Sequence, residues 1–185
     1  MTNHVAQYRT IVADPPWAYS ERAATGKADR RASAGDFYPT MTVAEIAAIP
    51  VSTLAAADSH LYLWVTNTKL FEGGEEVMAA WGFTYKTLLT WYKTGSIGLG
   101  RWFRGRTEHV MFGVRGHAPI EPSRREQNHI SAPNRWDGHS AKPEAFYDLV
   151  ERVSPGPYLE LFARRQRLGW DTWGNEALEH VEMGA

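Results

Sequence analysis

Asp14-Pro15-Pro16-Trp17 follows directly on the apolar run Ile11-Val12-Ala13. Two successive prolines pin an extended backbone and remove two N–H donors, so their carbonyls stand in fixed directions. A carboxylate beside such a carbonyl is a pair of acceptors on a stiff frame. That matches a planar exocyclic amine, which has two hydrogens to offer, and Trp17 adds a flat apolar face for its ring. The lone pair of such an amine is delocalised into the ring and is weakly nucleophilic. Two hydrogen bonds to its hydrogens favour the more tetrahedral nitrogen, and acceptors nearby hold the positive charge that develops on attack. The same four residues are equally consistent with a loop start and a core tryptophan.

Other residues with chemical potential are more dispersed. His109 lies inside an apolar stretch and reads as a satisfied core histidine, whereas His139 adjoins the loop that carries Lys142 and is a candidate for orienting that loop. The His, Asp and Glu residues do not fall at a recognised zinc spacing, so no metal is expected. Cysteine is absent, which removes disulfides, thiolate zinc ligands and a cysteine nucleophile. Basic side chains collect in two loops, with Arg22, Lys27, Arg30 and Arg31 in one and Arg101, Arg104 and Arg106 in the other, and again at Arg124 and Arg125. Trp102 and Phe103 sit between arginines, where they could stack on or displace a base.

These residues must be positioned by regular elements, and the pattern supplies them. Residues 9–13 read as a buried strand ending at Asp14. Thr42 precedes Glu45 at capping-box spacing and predicts a short helix over 43–48. Residues 59–66 read as an apolar strand, 69–81 as a helix closed by Gly82, and 83–92 as a strand rich in β-branched and aromatic residues. Residues 107–113 form another strand. A helix is expected from Lys142-Pro143 to Val153, with Ser140 as its cap, and the last strand over 158–163. Long loops are expected at about 18–38 and 93–106. Alternating strands and helices predict one α/β domain over 1–185, with ligands beyond the carboxyl ends of the strands. Asp14 and Arg164 both fall just past such ends.

The formal net charge of -1 hides a segregated distribution. Residues 86–142 carry +6, whereas the segments before and after carry -3 and -4. A polyanion is therefore an admissible partner despite the balanced total. No stretch approaches 18 apolar residues and the N-terminus lacks an apolar signal run, so a cytoplasmic protein with no membrane association is expected.

Several motifs occur in a set order: Val12-Ala13-Asp14-Pro15-Pro16-Trp17, Leu61-Tyr62-Leu63-Trp64, Arg106 to Gly116, His139-Ser140-Ala141-Lys142-Pro143, Glu160-Leu161-Phe162-Ala163-Arg164 and Trp173-Gly174-Asn175-Glu176. Together they resemble the mRNA adenosine methylase family, which includes bacterial and phage members acting on adenine in DNA. The resemblance implies a Rossmann-like S-adenosylmethionine-dependent methyltransferase fold, mostly parallel, with permuted motif order. It implies methyl transfer from S-adenosyl-L-methionine to the N6 amine of adenine, leaving S-adenosyl-L-homocysteine. Catalytic roles fall on Asp14, Pro15, Pro16 and Trp17. Cofactor contacts fall on Asp14, Lys142, Arg164, Gln166, Arg167, Asn175 and Glu176, although Arg165-Gln166-Arg167 stands where relatives often carry Pro-His-Asn. Nucleic-acid contacts fall on Trp17, Tyr19, Lys27, Arg30, Arg101, Trp102, Arg104 and Arg106. DNA is preferred over RNA on this likeness. An RNA substrate, or a catalytically silent subunit, remains the alternative, and the partner copy would be a second identical chain or a related methyltransferase subunit.

Overall fold

The structure, a computed structural model, describes residues 7–18, 40–95, 102–134 and 142–174. Seven strands form one sheet in the order β5-β3-β4-β2-β1-β6-β7. In chain order these are β1 (Tyr8–Ala13), β2 (Ala55–Val65), β3 (Thr84–Lys93), β4 (Thr107–Arg115), β5 (His129–Ala132), β6 (Tyr158–Leu161) and β7 (Trp170–Trp173). β4 alone runs against its neighbours β2 and β3, and the other four pairings are parallel. The expected α/β, mostly parallel architecture is therefore present. Because β4 is reversed, its first residues lie at the same edge of the sheet as the last residues of β1, β2, β3 and β6.

Both faces of the sheet are covered, as near-continuous apolar strands require. On one face α1 (Val43–Ala47), α2 (Val51–Leu54) and α3 (Gly74–Ala80) bury Ile46, Leu54, Val77 and Met78 against Ile11, Leu61 and Leu63. On the other, α4 (Glu144–Val153) buries Phe146, Tyr147, Leu149, Val150 and Val153 against Val12, Tyr62, Trp64 and Phe112. Those five residues mark one side of a helix, which is why the stretch is helical and why it lies flat on the sheet.

The predicted capping box is present: the Thr42 side chain accepts from the Glu45 N–H, and the Glu45 carboxylate accepts from the Thr42 N–H. The helix expected over 69–81 starts late, at Gly74. Gly73 has φ +119, a left-handed conformation that interrupts the helix, and a Cβ on Gly74 would approach Met111 Sδ to 2.6 Å. Of the apolar residues behind that expectation, Val77, Met78 and Trp81 are buried and Leu70 is half-buried, but Phe71 is 92% exposed, so spacing reported the face of the second half only. α2, β5 and β7, each four residues long, have no counterpart among the expected elements. α4 begins at Glu144 with Pro143 in the capping position, and the expected cap Ser140 lies outside the described residues. Among the described residues no helix is long and apolar enough to cross a membrane.

Candidate active site

At the carboxyl edge of the sheet, on the face covered by α4, five ionisable side chains form a row. Asp14 follows β1 and accepts from the Lys142 ammonium at 2.9 Å. Lys142 also reaches Glu108, near the start of β4, at 3.3 Å. Glu108 in turn pairs with Lys93 at the end of β3. The ammonium of Lys142 lies 4.8 Å from the ring centroid of Trp64, and that of Lys93 lies 5.0 Å from Trp91. Both are cation–π contacts. Glu160, on β6, completes the row through Asp14. Val12 and Glu160 are register partners, and Asp14 lies two residues beyond Val12, hence on the same face.

The electrostatics follow from burial and partnership. Burial lowers the proton affinity of Lys142, but Asp14 and Glu108 outweigh it and the ammonium is held above its ordinary value. Burial likewise raises the Glu108 carboxyl, yet Lys142 and Lys93 hold it below the usual range. Glu160 differs. It is buried, its hydrogen-bond partner is the Tyr147 hydroxyl at 2.6 Å, and burial pushes it up to about 7. The Tyr147 bond opposes that rise and the Asp14 charge adds to it.

Asp-Pro-Pro-Trp takes a geometry that corrects two expectations. The Pro15 carbonyl accepts from the Trp17 N–H at 2.8 Å and the Pro16 carbonyl from the Met41 N–H at 2.8 Å. Each therefore has one lone pair engaged within the chain rather than standing free. Trp17 is not an open wall. Its ring is buried in the core and its indole N–H donates to the Trp64 carbonyl at 2.9 Å, because a buried indole must satisfy that donor. This bond ties the tetrapeptide to β2 and fixes the direction of Asp14.

The remaining predicted residues divide. Arg164 lies three residues beyond the end of β6, the strand beside β1. Gln166 is exposed. Arg167, expected at the cofactor ribose, is instead engaged by Glu144, Asp148 and Glu151. These lie along one side of α4 and draw its guanidinium onto that helix. Trp102 and Phe103 are 87% and 91% exposed, and Arg104 and Arg106 follow them. Tyr19, Lys27, Arg30, Arg101, His139, Asn175 and Glu176 lie outside the described residues. His109 has the Thr90 hydroxyl at 3.1 Å and so is satisfied, but it is half-buried rather than in the core as expected. No group of three His, Asp or Glu suited to a metal occurs among the described residues.

Sequence reasoning gave no role to Glu108, Lys93, Trp64, Tyr147 or Glu160. One signal was available: Glu160 is a lone carboxylate inside Tyr158-Leu159-Glu160-Leu161-Phe162, and a charge in a fully apolar strand is seldom structural filler. The pairing of Lys93 with Glu108 depends on the β3–β4 register and has no local signature.

The residues present suit an amphoteric cofactor bearing an ammonium, a carboxylate and a positive sulfur. Carboxyl groups and two lysines share the edge. The indole N–H of Trp64, under the Lys142 ammonium, is buried with no hydrogen-bond partner among the described residues. Beyond β6, Phe162 takes φ +62, a strained conformation for a bulky residue, with its ring 5.5 Å from Trp173. Gly174 is needed beside it, since a Cβ there would meet the Ala163 backbone N at 2.5 Å.

Comparison with known proteins agrees with this arrangement, since the MT-A70 family profile matches residues 8–176. The chain belongs to the MT-A70 methyltransferase family. It is 30% identical over 186 residues to the type II methyltransferase M.MunI of a Mycoplasma species, covering 92% of this chain and 78% of that protein. It is 30% identical to a probable N(6)-adenosine-methyltransferase MT-A70-like protein of rice, covering 93% of this chain and 23% of that protein. It is 28% identical to the human N(6)-adenosine-methyltransferase catalytic subunit METTL3, with coverages of 93% and 28%. This member of the MT-A70 family thus spans most of the mycoplasma enzyme but about a quarter of the rice and human proteins.

Proposed function

We propose that this methyltransferase transfers the methyl group of S-adenosyl-L-methionine to the N6 amine of adenine in DNA. The observation that carries the proposal is the row Asp14–Lys142–Glu108 at the sheet's carboxyl edge, directly at the Asp-Pro-Pro-Trp turn. When bound, the cofactor supplies an electrophilic methyl on a positive sulfur. The chain's own residues do the rest. Asp14 accepts a hydrogen of the amine, which favours the nucleophilic nitrogen and holds the charge that develops on it. The second lone pair of the Pro15 carbonyl offers the other acceptor. Lys142 fixes the Asp14 carboxylate and offers an ammonium to the methionine carboxylate, and Arg164 is the candidate for the ribose. Since displacement at the methyl needs mainly alignment, the rigid turn contributes by restricting approach.

DNA is favoured because, of the three relatives named, the type II methyltransferase is aligned over 78% of its own length, against 23% and 28% for the rice and human proteins. Duplex DNA would have to release its adenine from the stack, and the exposed Trp102-Phe103 pair, followed by Arg104 and Arg106, suits that task. RNA is the second reading, favoured by the names of the rice and human relatives. Transfer of labelled methyl to matched single- and double-stranded DNA and RNA, followed by nucleoside analysis, tests both. Asp14→Ala should lower the rate by about 10²–10⁴-fold while leaving cofactor binding measurable. Product on RNA alone would overturn the DNA assignment, and failure of the wild-type protein to bind the cofactor would overturn the whole.

A further inference from the structure

The five side chains of the row do not balance. Lys93 and Lys142 supply two positive charges, and Glu108 and Asp14 use both through direct ion pairs. Glu160 is the surplus carboxyl. It is 7% exposed, it sits on the same face as Asp14, and its hydrogen-bond partner is an uncharged hydroxyl, Tyr147 Oη at 2.6 Å. Among the described residues, these groups surround it. From α4 comes Tyr147; from β7 comes Thr172, its register partner, which does not titrate. Beyond β6 come Arg165 and Arg167, whose guanidinium groups lie 5.7 and 5.2 Å from the Tyr147 ring centroid. Both arginines are drawn off to carboxylates of α4, Arg165 to Glu144, and Arg167 to Glu144, Asp148 and Glu151. Glu160 therefore forms no ion pair among the described residues, and beside Asp14 it faces a second negative charge.

Burial and the adjacent Asp14 charge bias such a carboxyl toward its protonated form, and a cation beside it biases it toward the ionised form. We propose that Glu160 is the residue by which the site distinguishes the sulfonium cofactor from its neutral thioether product. A positive sulfur held beside Asp14 would favour the ionised form of Glu160, and loss of that charge on methyl transfer would favour the acid again. Charge is compensated in part at each stage: as one positive charge enters, up to about half a proton leaves to solvent for a one-unit shift near neutral pH, and the reverse occurs once the thioether remains. This rests on S-adenosylmethionine being the cofactor. The carboxyl's elevation to about 7 puts the exchange near neutral pH, so the cofactor binds more tightly than the spent product under working conditions. Product release is then assisted by the fold itself.

Isothermal titration of the full chain with S-adenosylmethionine, S-adenosylhomocysteine and an analogue carrying a protonated amine in place of the S-methyl group tests this. Runs at pH 5.5, 7.0 and 8.5, in buffers of different ionisation heat, give affinity and proton release together. S-adenosylmethionine and the cationic analogue should bind about five- to tenfold more weakly at pH 5.5 than at 8.5, as follows if the bound cation lowers Glu160 by about one pKa unit. Both should release protons near pH 7, and S-adenosylhomocysteine should release distinctly fewer. Glu160→Gln keeps an acceptor for Tyr147 but cannot ionise. It should lose the extra proton release and reduce the preference for sulfonium over thioether about tenfold. Subtracting its curves from wild type removes the ligands' own titrations. Equal proton release for sulfonium and thioether in the wild type, or an unchanged preference in Glu160→Gln, overturns the proposal while leaving the cofactor assignment standing. If neither ligand binds the wild type, the cofactor assignment fails and this inference with it. Should Glu160→Gln not fold, the wild-type proton counts decide alone.

Discussion

Replacing Lys142 by Met keeps most of the side chain's length and apolar stem but removes its ammonium. Two carboxylates depend on that charge, Asp14 at 2.9 Å and Glu108 at 3.3 Å, and the lysine side chain itself is 9% exposed. Removing one partner of a buried ion pair costs about 3–5 kcal/mol, because the charge left behind is uncompensated. Here Glu108 retains Lys93, and Asp14 and Glu108 are 19% and 28% exposed, so water relieves part of the penalty. The lower end, about 3 kcal/mol, is the expected loss, a large share of the ~5–15 kcal/mol by which such domains are stable. Its pH dependence is distinctive. Glu108 is held below its ordinary 4.5, so its contribution is present above that value and lost as pH falls through the folded one. Lys142 is held above 10.5, so its contribution is present below that value and lost as pH rises through the folded one. The difference between wild type and Lys142→Met should therefore be full between about pH 5 and pH 10 and shrink on either side. Urea denaturation across that range measures it. A loss under about 1 kcal/mol at pH 7, or an equal loss at pH 3, would show that the row is not a coupled buried network.

Glu160 makes the opposite contribution. Its folded value is raised to about 7 from 4.5, so between those pH values the unfolded chain releases a proton that the fold retains. Stability falls as pH rises through that window, by about 3 kcal/mol in full, and Glu160→Gln should be more stable than wild type at pH 8 but not at pH 4; thermal melts at the two pH values check it. Thr42→Ala removes the capping box of α1 and should cost about 1 kcal/mol in chemical denaturation with activity unaltered. Joint replacement of Trp102 and Phe103 by Ala should leave stability within about 0.5 kcal/mol, since both rings are exposed. The same variant should weaken oligonucleotide binding at least about fivefold if either ring stacks on a base, read by fluorescence anisotropy at fixed salt.

Local chemistry made part of this protein legible from its sequence. Two prolines after an apolar run must end a strand, so the position of Asp14 at a strand end follows from backbone restriction alone. The α4 face and the capping box at Thr42 are likewise properties of short windows, as is the alternation that predicts an α/β sheet. Tertiary structure decided the charges. Lys93, Glu108, Lys142 and Asp14 come from four separate segments, and they form a row because β4 runs antiparallel and brings its first residues to the carboxyl edge. No spacing rule encodes that reversal. The fate of Trp17 was also settled by packing, since a bond to the Trp64 carbonyl draws it into the core. Arg167 was diverted in the same way, by three carboxylates that become neighbours only once α4 lies against the sheet. Residue type fixes what a side chain can do. Its ionisation and its partner depend on burial and on groups distant in sequence, and those exist only in the fold.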